Sequence, residues 1–218
     1  AVVALLATLL QGPYASSVFE YGNYRDFEGW LIEEPHPMLA VSRPGFAGDV
    51  EASSRYLLTV FGKRGAEDHV AGLDGHRIKL RGALVYREGR TMLEIEDGSI
   101  DVLEIAPPAD RPISLGTVTL DGEIVDSKCY LGTMKPARWK SHRACATNCI
   151  AGGVPPLFVV ESADGSRAHY LLVDSQGEPV NQRVLSYVAE PVRITGEERL
   201  LGDVRILAAD PATIERLE

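Results

Sequence analysis

The feature that most constrains the fold of this chain is an internal repeat. Residues 56–104 align without a gap on residues 170–218, at a constant offset of 114 residues. Gly82 falls on Gly196, and the apolar positions keep the same spacing although few residues are identical. Self-similarity at a fixed offset indicates a duplicated structural unit. We therefore expect two domains of one fold, each long enough to bury its own core.

Each copy reads as short segments of alternating apolar and polar residues, which are typical of half-buried β-strands. In the second copy these are VTLDGEIVD, PLFVVES, HYLLVD, VRITGEERLL and VRILAAD, with a helix, NQRVLSYVAE, after the third strand. The first copy supplies FEGWLIE, MLAVSR, YLLTVF, RIKLRGALVY and TMLEIED, with a helical turn near AEDHVAGL. This order predicts a mainly β fold of two tandem five-stranded Greek-key barrels of the OB type. A pair of SH3-like barrels is the alternative.

The start of the chain is apolar and uncharged. Residues 1–10 contain no polar residue except Thr8, but a membrane span needs about 20 residues. We interpret residues 1–13 as the C-terminal part of a transmembrane anchor, with an amphipathic helix as the alternative. A single anchor of this kind would place the barrels on the periplasmic, exported side of a bacterial membrane.

The domain boundaries follow from the repeat and from a proline-rich stretch. We place the first OB-like barrel at residues 18–105 and the second at 117–218. Between them, residues 106–116 hold three prolines and are predicted to form the linker.

The two copies differ chiefly between their first and second strands. Eight residues separate Gly29 from Pro37 in the first copy, whereas 34 separate Gly122 from Pro156 in the second. The additional segment covers about residues 127–153 and holds all three cysteines of the chain. Because loops on rigid barrels often carry function, we expect a site in this insertion.

The cysteines of the insertion have the spacing of a metal site. In SHRACATNCIAGG, a predicted helix would place His142, Cys145 and Cys149 on one stripe. Cys129, at the end of the preceding strand, would complete the set. Three thiolates and one imidazole form a complete tetrahedral set of metal ligands.

The same segment has the expected start and stop signals of a helix. Ser141 is predicted to cap its beginning, and Gly152 is predicted to end it in the left-handed conformation.

The metal is not specified by these residues. Zinc is the first candidate, because it binds this set of ligands. Copper(I) is the second, because it also prefers sulfur and could bind the thioether of Met134 in addition. An iron–sulfur cluster is the third. The alternative to any metal is a disulfide from Cys129 to Cys145 or Cys149, since disulfides are common in exported proteins.

Basic residues cluster in the same insertion, where they are expected to stabilise thiolates: Lys128, Lys135, Arg138, Lys140 and Arg143. Four of them, Lys135, Arg138, Lys140 and Arg143, surround Trp139. This group suits docking onto an acidic partner or anionic lipid headgroups. An ordinary solvated loop is the alternative.

Composition and missing motifs narrow the function further. The net charge of −9 argues against a nucleic-acid partner, because such proteins usually carry a basic working face. The sequence contains no Gly-rich phosphate loop, paired-carboxylate motif, nucleophile elbow or HExxH helix. A self-contained active site is therefore not expected.

Three motifs of the second half, GEIVDSKCYLG, HRACATNC and GGVPP, carry a family resemblance. Over residues 117–218 the chain resembles a family of exported bacterial OB-like proteins of unknown biochemical function. YGNYRDFEG, in the first half, is similar to a segment of membrane-anchored relatives. The resemblance implies export and a cysteine loop that acts as a unit, and it implies no reaction.

The leading hypothesis is a membrane-anchored, non-catalytic accessory subunit with a Cys3His metal site, working with other subunits of a membrane complex such as an electron-transfer complex. A disulfide-stapled interaction module is the second hypothesis. The third is an enzyme, either a thiol oxidoreductase using Cys145 and Cys149 or a metal-dependent hydrolase.

Overall fold

The structure, a computed structural model, describes residues 17–42, 53–105 and 111–217. The anchor predicted at residues 1–13 lies outside these ranges. Within them, none of the helices has the length and apolar character needed to cross a bilayer.

The first half forms a closed barrel with additional edge strands. Its described elements are β1 (Ser17–Phe19), β2 (Arg25–Ile32), β3 (Met38–Ser42), β4 (Ser53–Val60), β5 (Arg64–Gly65), α1 (Glu67–Val70), β6 (His76–Arg87), β7 (Arg90–Ile95) and β8 (Asp101–Ile105). Strand pairing runs β2–β3–β4–β7–β6 and returns to β2. β4 and β7 are parallel, and the other pairs are antiparallel.

The second half repeats this arrangement. Its described elements are β9 (Ile113–Asp126), a π-helical turn (Cys129–Thr133), a 3-10 turn (Lys140–His142), α2 (Arg143–Ala151), β10 (Pro156–Glu161), β11 (Arg167–Val173), 3-10 turns (Asn181–Arg183, Leu185–Tyr187), β12 (Pro191–Leu201), β13 (Val204–Ala208), a 3-10 turn (Pro211–Thr213) and β14 (Glu215–Arg216). The pairing β9–β10–β11–β13–β12–β9 closes the barrel, with β11 and β13 parallel.

Both barrels therefore have the strand order 1-2-3-5-4-1, with a helical segment after the third strand. This is the OB-type order, so the prediction of two such barrels is confirmed and the SH3-like alternative is not. The strand β9 begins at Ile113, inside the 106–116 range that the sequence suggested as a linker.

The helix predicted at residues 181–190 is wrong. Two 3-10 turns lie there instead, and Ala189 has a φ of 59°, outside the right-handed helical region. Val180, Val184 and Val188 are buried at helical spacing, which explains the prediction. β-branched residues disfavour a helix, however, and two short turns bury the same side chains.

The insertion fills the space between the two barrels. Each barrel has its own core, and a third core cluster combines residues from both halves. In that cluster Met38 and Met92 of the first barrel pack with Tyr130 and Cys149 of the insertion and Leu171 of the second barrel. The insertion thus forms the interface between the two barrels, which we call the joint.

A buried ion pair fastens this joint. Lys128 is 3% exposed, and its Nζ lies 2.6 Å from Glu94 Oε2 of the first barrel. The same ammonium donates to the carbonyl oxygens of Val60 and Gly62 at 2.7 and 2.8 Å. The expectation that Lys128 stabilises a thiolate is therefore wrong, because its charge is used by the neighbouring barrel.

A second group of polar contacts joins the barrels around Tyr130. Its hydroxyl lies 3.1 Å from His169 Nε2, which is also 3.3 Å from Glu88 Oε2 of the first barrel. Arg87 stacks over the Tyr130 ring and donates to its carbonyl oxygen at 2.9 Å. Burial lowers the pKa of His169 from 6.5 to about 4, even though Glu88 opposes the shift.

This lowered pKa predicts a specific loss of stability in acid. Between pH 6.5 and about 4, His169 binds a proton in the unfolded chain but stays neutral in the folded chain. The free energy of unfolding therefore falls as the pH falls. The full effect is about 3 kcal/mol, since one pKa unit corresponds to about 1.4 kcal/mol. Urea unfolding at several pH values should show wild type losing this amount relative to His169→Gln. Parallel pH profiles for the two proteins would contradict the assignment.

Candidate metal centre

The end of β9 positions the first ligand candidate. Asp126, fully buried, accepts a hydrogen bond from the backbone N–H of Cys129 at 2.7 Å, which starts the π-helical turn. Cys129 is 4% exposed and belongs to the core cluster between the barrels. Its sulfur is therefore held at the joint of the molecule.

Helix α2 supplies the remaining candidates, although its ends differ from the prediction. His142 occupies the N-cap position, and the Ser141 hydroxyl donates to the Arg138 carbonyl at 3.3 Å instead of capping the helix. Gly152 has a φ of −86°, so the left-handed residue is Gly153, at 98°. The predicted helix exists, but both predicted end residues have other roles.

Gly152 is required by a close approach to the first barrel. Its carbonyl accepts from the Gly65 N–H at 3.0 Å, and an added Cβ would lie 1.9 Å from the Lys63 carbonyl oxygen. The clash involves backbone, so it cannot be relieved by a side-chain rotation. The end of α2 is thereby held against the first barrel.

The variant Gly152→Ala tests this contact. Its φ suits alanine, so we expect a loss from overpacking alone, about 1–3 kcal/mol in the free energy of unfolding. Denaturant unfolding measures it. Unchanged or increased stability, as expected for removing a helical glycine, would contradict the close contact.

The structure brings the four predicted ligands together as two overlapping groups. The ligand atoms of Cys129, His142 and Cys145 lie within 4.8 Å of one another, and so do those of Asp126, Cys129 and Cys149. Cys129 belongs to both groups. No group of all four predicted ligands is this compact among the described residues. The cluster could hold a metal ion.

Asp126 also orients the histidine. Its Oδ2 lies 3.1 Å from His142 Nε2, in a site where both side chains are buried. A carboxylate that accepts from one ring nitrogen of a histidine fixes the tautomer and leaves the other nitrogen for a metal. Here Nδ1 of His142 is the nitrogen that remains.

The three sulfurs interact with one another. The hydrogen bond from Cys129 to Cys149, together with burial, raises the pKa of Cys129 far above its usual range. The same hydrogen bond lowers the pKa of Cys149, and the charge of Lys63 acts in the same direction. Burial raises the pKa of Cys145. Without a metal, Cys149 is thus the favoured thiolate.

All three cysteines are free in the structure, so the disulfide alternative is not the arrangement seen. Cys129 and Cys149 are buried, whereas Cys145 is partly exposed. The Cys145 sulfur lies 3.8 Å from the Met134 thioether, which is itself exposed. The cluster therefore has one accessible side, formed by soft sulfur atoms.

Two arginines of the insertion pair with carboxylates of the second barrel and are not free to stabilise thiolates. Arg138 is buried and pairs with Glu123 and Glu161 at 3.1 and 2.7 Å, and Arg143 pairs with Glu190. The expectation that they stabilise thiolates is therefore wrong, because these carboxylates already neutralise them. Their predicted role in docking stays a prediction, and the Arg143 side chain is 42% exposed.

Three members of the predicted docking group are exposed. Lys135 and Lys140 have no ion pair within the described ranges, and Trp139 is 57% exposed. Trp139 also has a φ of 61°, an uncommon conformation for a residue with a large side chain, and its backbone N–H donates to the Glu123 carboxylate.

Two residues of the site, Asp126 and Lys63, were not predicted from the sequence. Asp126 carries a local signal, since an Asp directly before a helical turn, whose side chain accepts from the backbone N–H three residues later, is a typical capping residue. Lys63 has no such signal in the sequence, because it reaches the cluster only through the tertiary packing of the first barrel.

Comparisons with known proteins do not identify a family for this chain. No family model matches the chain, and no curated protein does. The chain is similar to the crystal structure of a deletion mutant of the single-stranded DNA binding protein from Thermus aquaticus. The identity is 13% and the TM-score 0.25, over 94% of this chain and 90% of that chain. The barrel topology described above rests on the strand pairing alone.

Proposed function

We propose that this chain is a non-catalytic accessory subunit of a membrane assembly, in which a structural zinc centre locks two OB-like barrels together. One observation carries the proposal: ligand atoms from the end of β9 and from α2 gather at the joint between the barrels. A metal bound there would cross-link the insertion where it contacts both barrels.

The chemistry of the ligand set supports a metal. Three cysteines and a histidine, mostly buried, supply ligand atoms to two overlapping groups, and Asp126 orients the histidine ring. When bound, a metal supplies charge neutralisation and a fixed geometry for the thiolates.

Zinc is the metal we propose. It accepts sulfur and nitrogen ligands at a tetrahedral site and has no redox chemistry. In a complex that transfers electrons, a zinc subunit would support the assembly without carrying electrons itself. Copper(I) is the main competitor, because Met134 could add a further soft ligand.

The membrane and partner roles rest on the sequence and on the exposed face of the insertion. The apolar residues 1–10 are the proposed anchor. Trp139, Lys135 and Lys140 are exposed together at the insertion and offer an aromatic and cationic contact for another subunit.

Elemental analysis of protein purified without metal-affinity tags, together with a thiol count under denaturing conditions with chelator, tests the metal. We expect zinc and three titratable thiols. No metal with one free thiol would favour a disulfide-stapled module instead. No metal with three free thiols would favour a thiol enzyme. For the anchor, deleting residues 1–13 should move the chain out of the membrane fraction, and an unchanged distribution would contradict it.

A further inference from the structure

The cluster contains more ligands than one tetrahedral ion can use. Besides the predicted Cys129, His142, Cys145 and Cys149, it holds the buried carboxylate of Asp126. These five residues divide into two sets of three, each with ligand atoms within 4.8 Å of one another. Such spacing matches ligands around one ion, because zinc–sulfur and zinc–oxygen bonds are about 2.3 and 2.0–2.2 Å.

We propose that the site binds two metal ions, bridged by the sulfur of Cys129. The first ion is held by Cys129, His142 and Cys145, and the second by Asp126, Cys129 and Cys149. This inference rests on the proposed function, since it concerns the same cluster, and it adds the number of ions and the role of Asp126.

The position of Cys129 favours the bridge. Its sulfur is the one ligand atom common to both sets, and it interacts directly with the sulfurs of Cys145 and Cys149. A thiolate has enough lone pairs to bind two ions. Of the remaining thiolates, Cys145 then belongs to the first ion and Cys149 to the second.

Charge also favours two ions. With one divalent ion, three thiolates and the Asp126 carboxylate leave a net charge of −2 in a largely buried cluster, and Lys63 is the cation identified beside it. With two divalent ions the same ligands are neutral. Uncompensated buried charge is costly, so the second ion removes a large penalty.

Asp126 can serve the second ion without losing its other contacts. Its two oxygens accept from the Cys129 N–H and face His142 Nε2. Each carboxylate oxygen has two lone pairs, so one remains for a metal. On the other side, the Met134 thioether, 3.8 Å from the Cys145 sulfur, can complete the shell of the first ion.

The test is the metal stoichiometry of purified variants. Wild type loaded with zinc and dialysed should retain two ions per chain. Asp126→Asn and Cys149→Ser should each retain one, because the first set of ligands stays intact. Asp121→Asn is the matched control, since it makes the same change on β9 at an exposed carboxylate paired with Arg193, and it should retain two.

The outcomes separate this inference from the proposed function. One ion in wild type would overturn the dinuclear site while leaving the structural centre in place, and no ion would overturn both. Two ions in Asp126→Asn would overturn the role of Asp126.

A second measurement covers variants that fail to fold. Apo wild type titrated with Co(II) should show an electron paramagnetic resonance signal that rises to one equivalent and falls toward the second, as bridged ions couple. A signal that grows in proportion up to two equivalents, or stops at one, would contradict the Cys129 bridge.

Discussion

Replacing Lys128 by methionine should destabilise the chain by about 3–5 kcal/mol, the usual cost of breaking a buried ion pair. The substitution leaves the Glu94 carboxylate, with a side chain 3% exposed, without its cation. It also removes the donor to the carbonyl oxygens of Val60 and Gly62. Because these groups belong to the first barrel and Lys128 to the insertion, the loss falls on the joint between the barrels.

Guanidinium unfolding measures the effect, with two controls. Lys140→Met changes an exposed lysine of the same insertion and should cost less than about 0.5 kcal/mol. The double variant Lys128→Met with Glu94→Gln removes both charges and should recover most of the loss. If Lys128→Met is as stable as Lys140→Met, the buried pair does not fasten the barrels.

Removing the metal should lower the melting temperature substantially. At a free metal concentration one hundred times the dissociation constant, binding contributes about 2.7 kcal/mol. For a chain of this size each kcal/mol corresponds to about 2–4 °C, so a chelator should lower the transition by about 5–10 °C. Differential scanning calorimetry with and without chelator measures the shift.

The variant Cys129→Ser supplies the control for nonspecific effects of the chelator. It removes the ligand that both groups share, so it should already melt at the lower temperature and show no further shift with chelator. A chelator that lowers both proteins equally, or neither, would contradict a metal at Cys129.

Much of the fold followed from local patterns. Alternating segments such as YLLTVF and HYLLVD mark strands because one side of each faces a core, and the repeat required two similar barrels. The insertion was visible as a length difference, and its helix placed His142, Cys145 and Cys149 near one another. These features depend on residues close in sequence.

The remaining features depend on contacts between distant residues. Lys128 and Arg138 looked like free cations because their partners, Glu94 and Glu123, are remote or on another strand. Lys63 approaches the cysteines only after the two barrels pack. The helix expected at residues 181–190 failed because apolar spacing alone does not distinguish one helix from two tight turns.

X-ray absorption spectroscopy at the zinc edge on untagged protein tests the central claim most directly. We predict an absorber with sulfur neighbours at about 2.3 Å and nitrogen or oxygen neighbours at about 2.0–2.2 Å, and loss of the sulfur shell in Cys129→Ser. Protein without zinc, or zinc surrounded by oxygen and nitrogen alone, would contradict a thiolate metal centre at the joint of the two barrels.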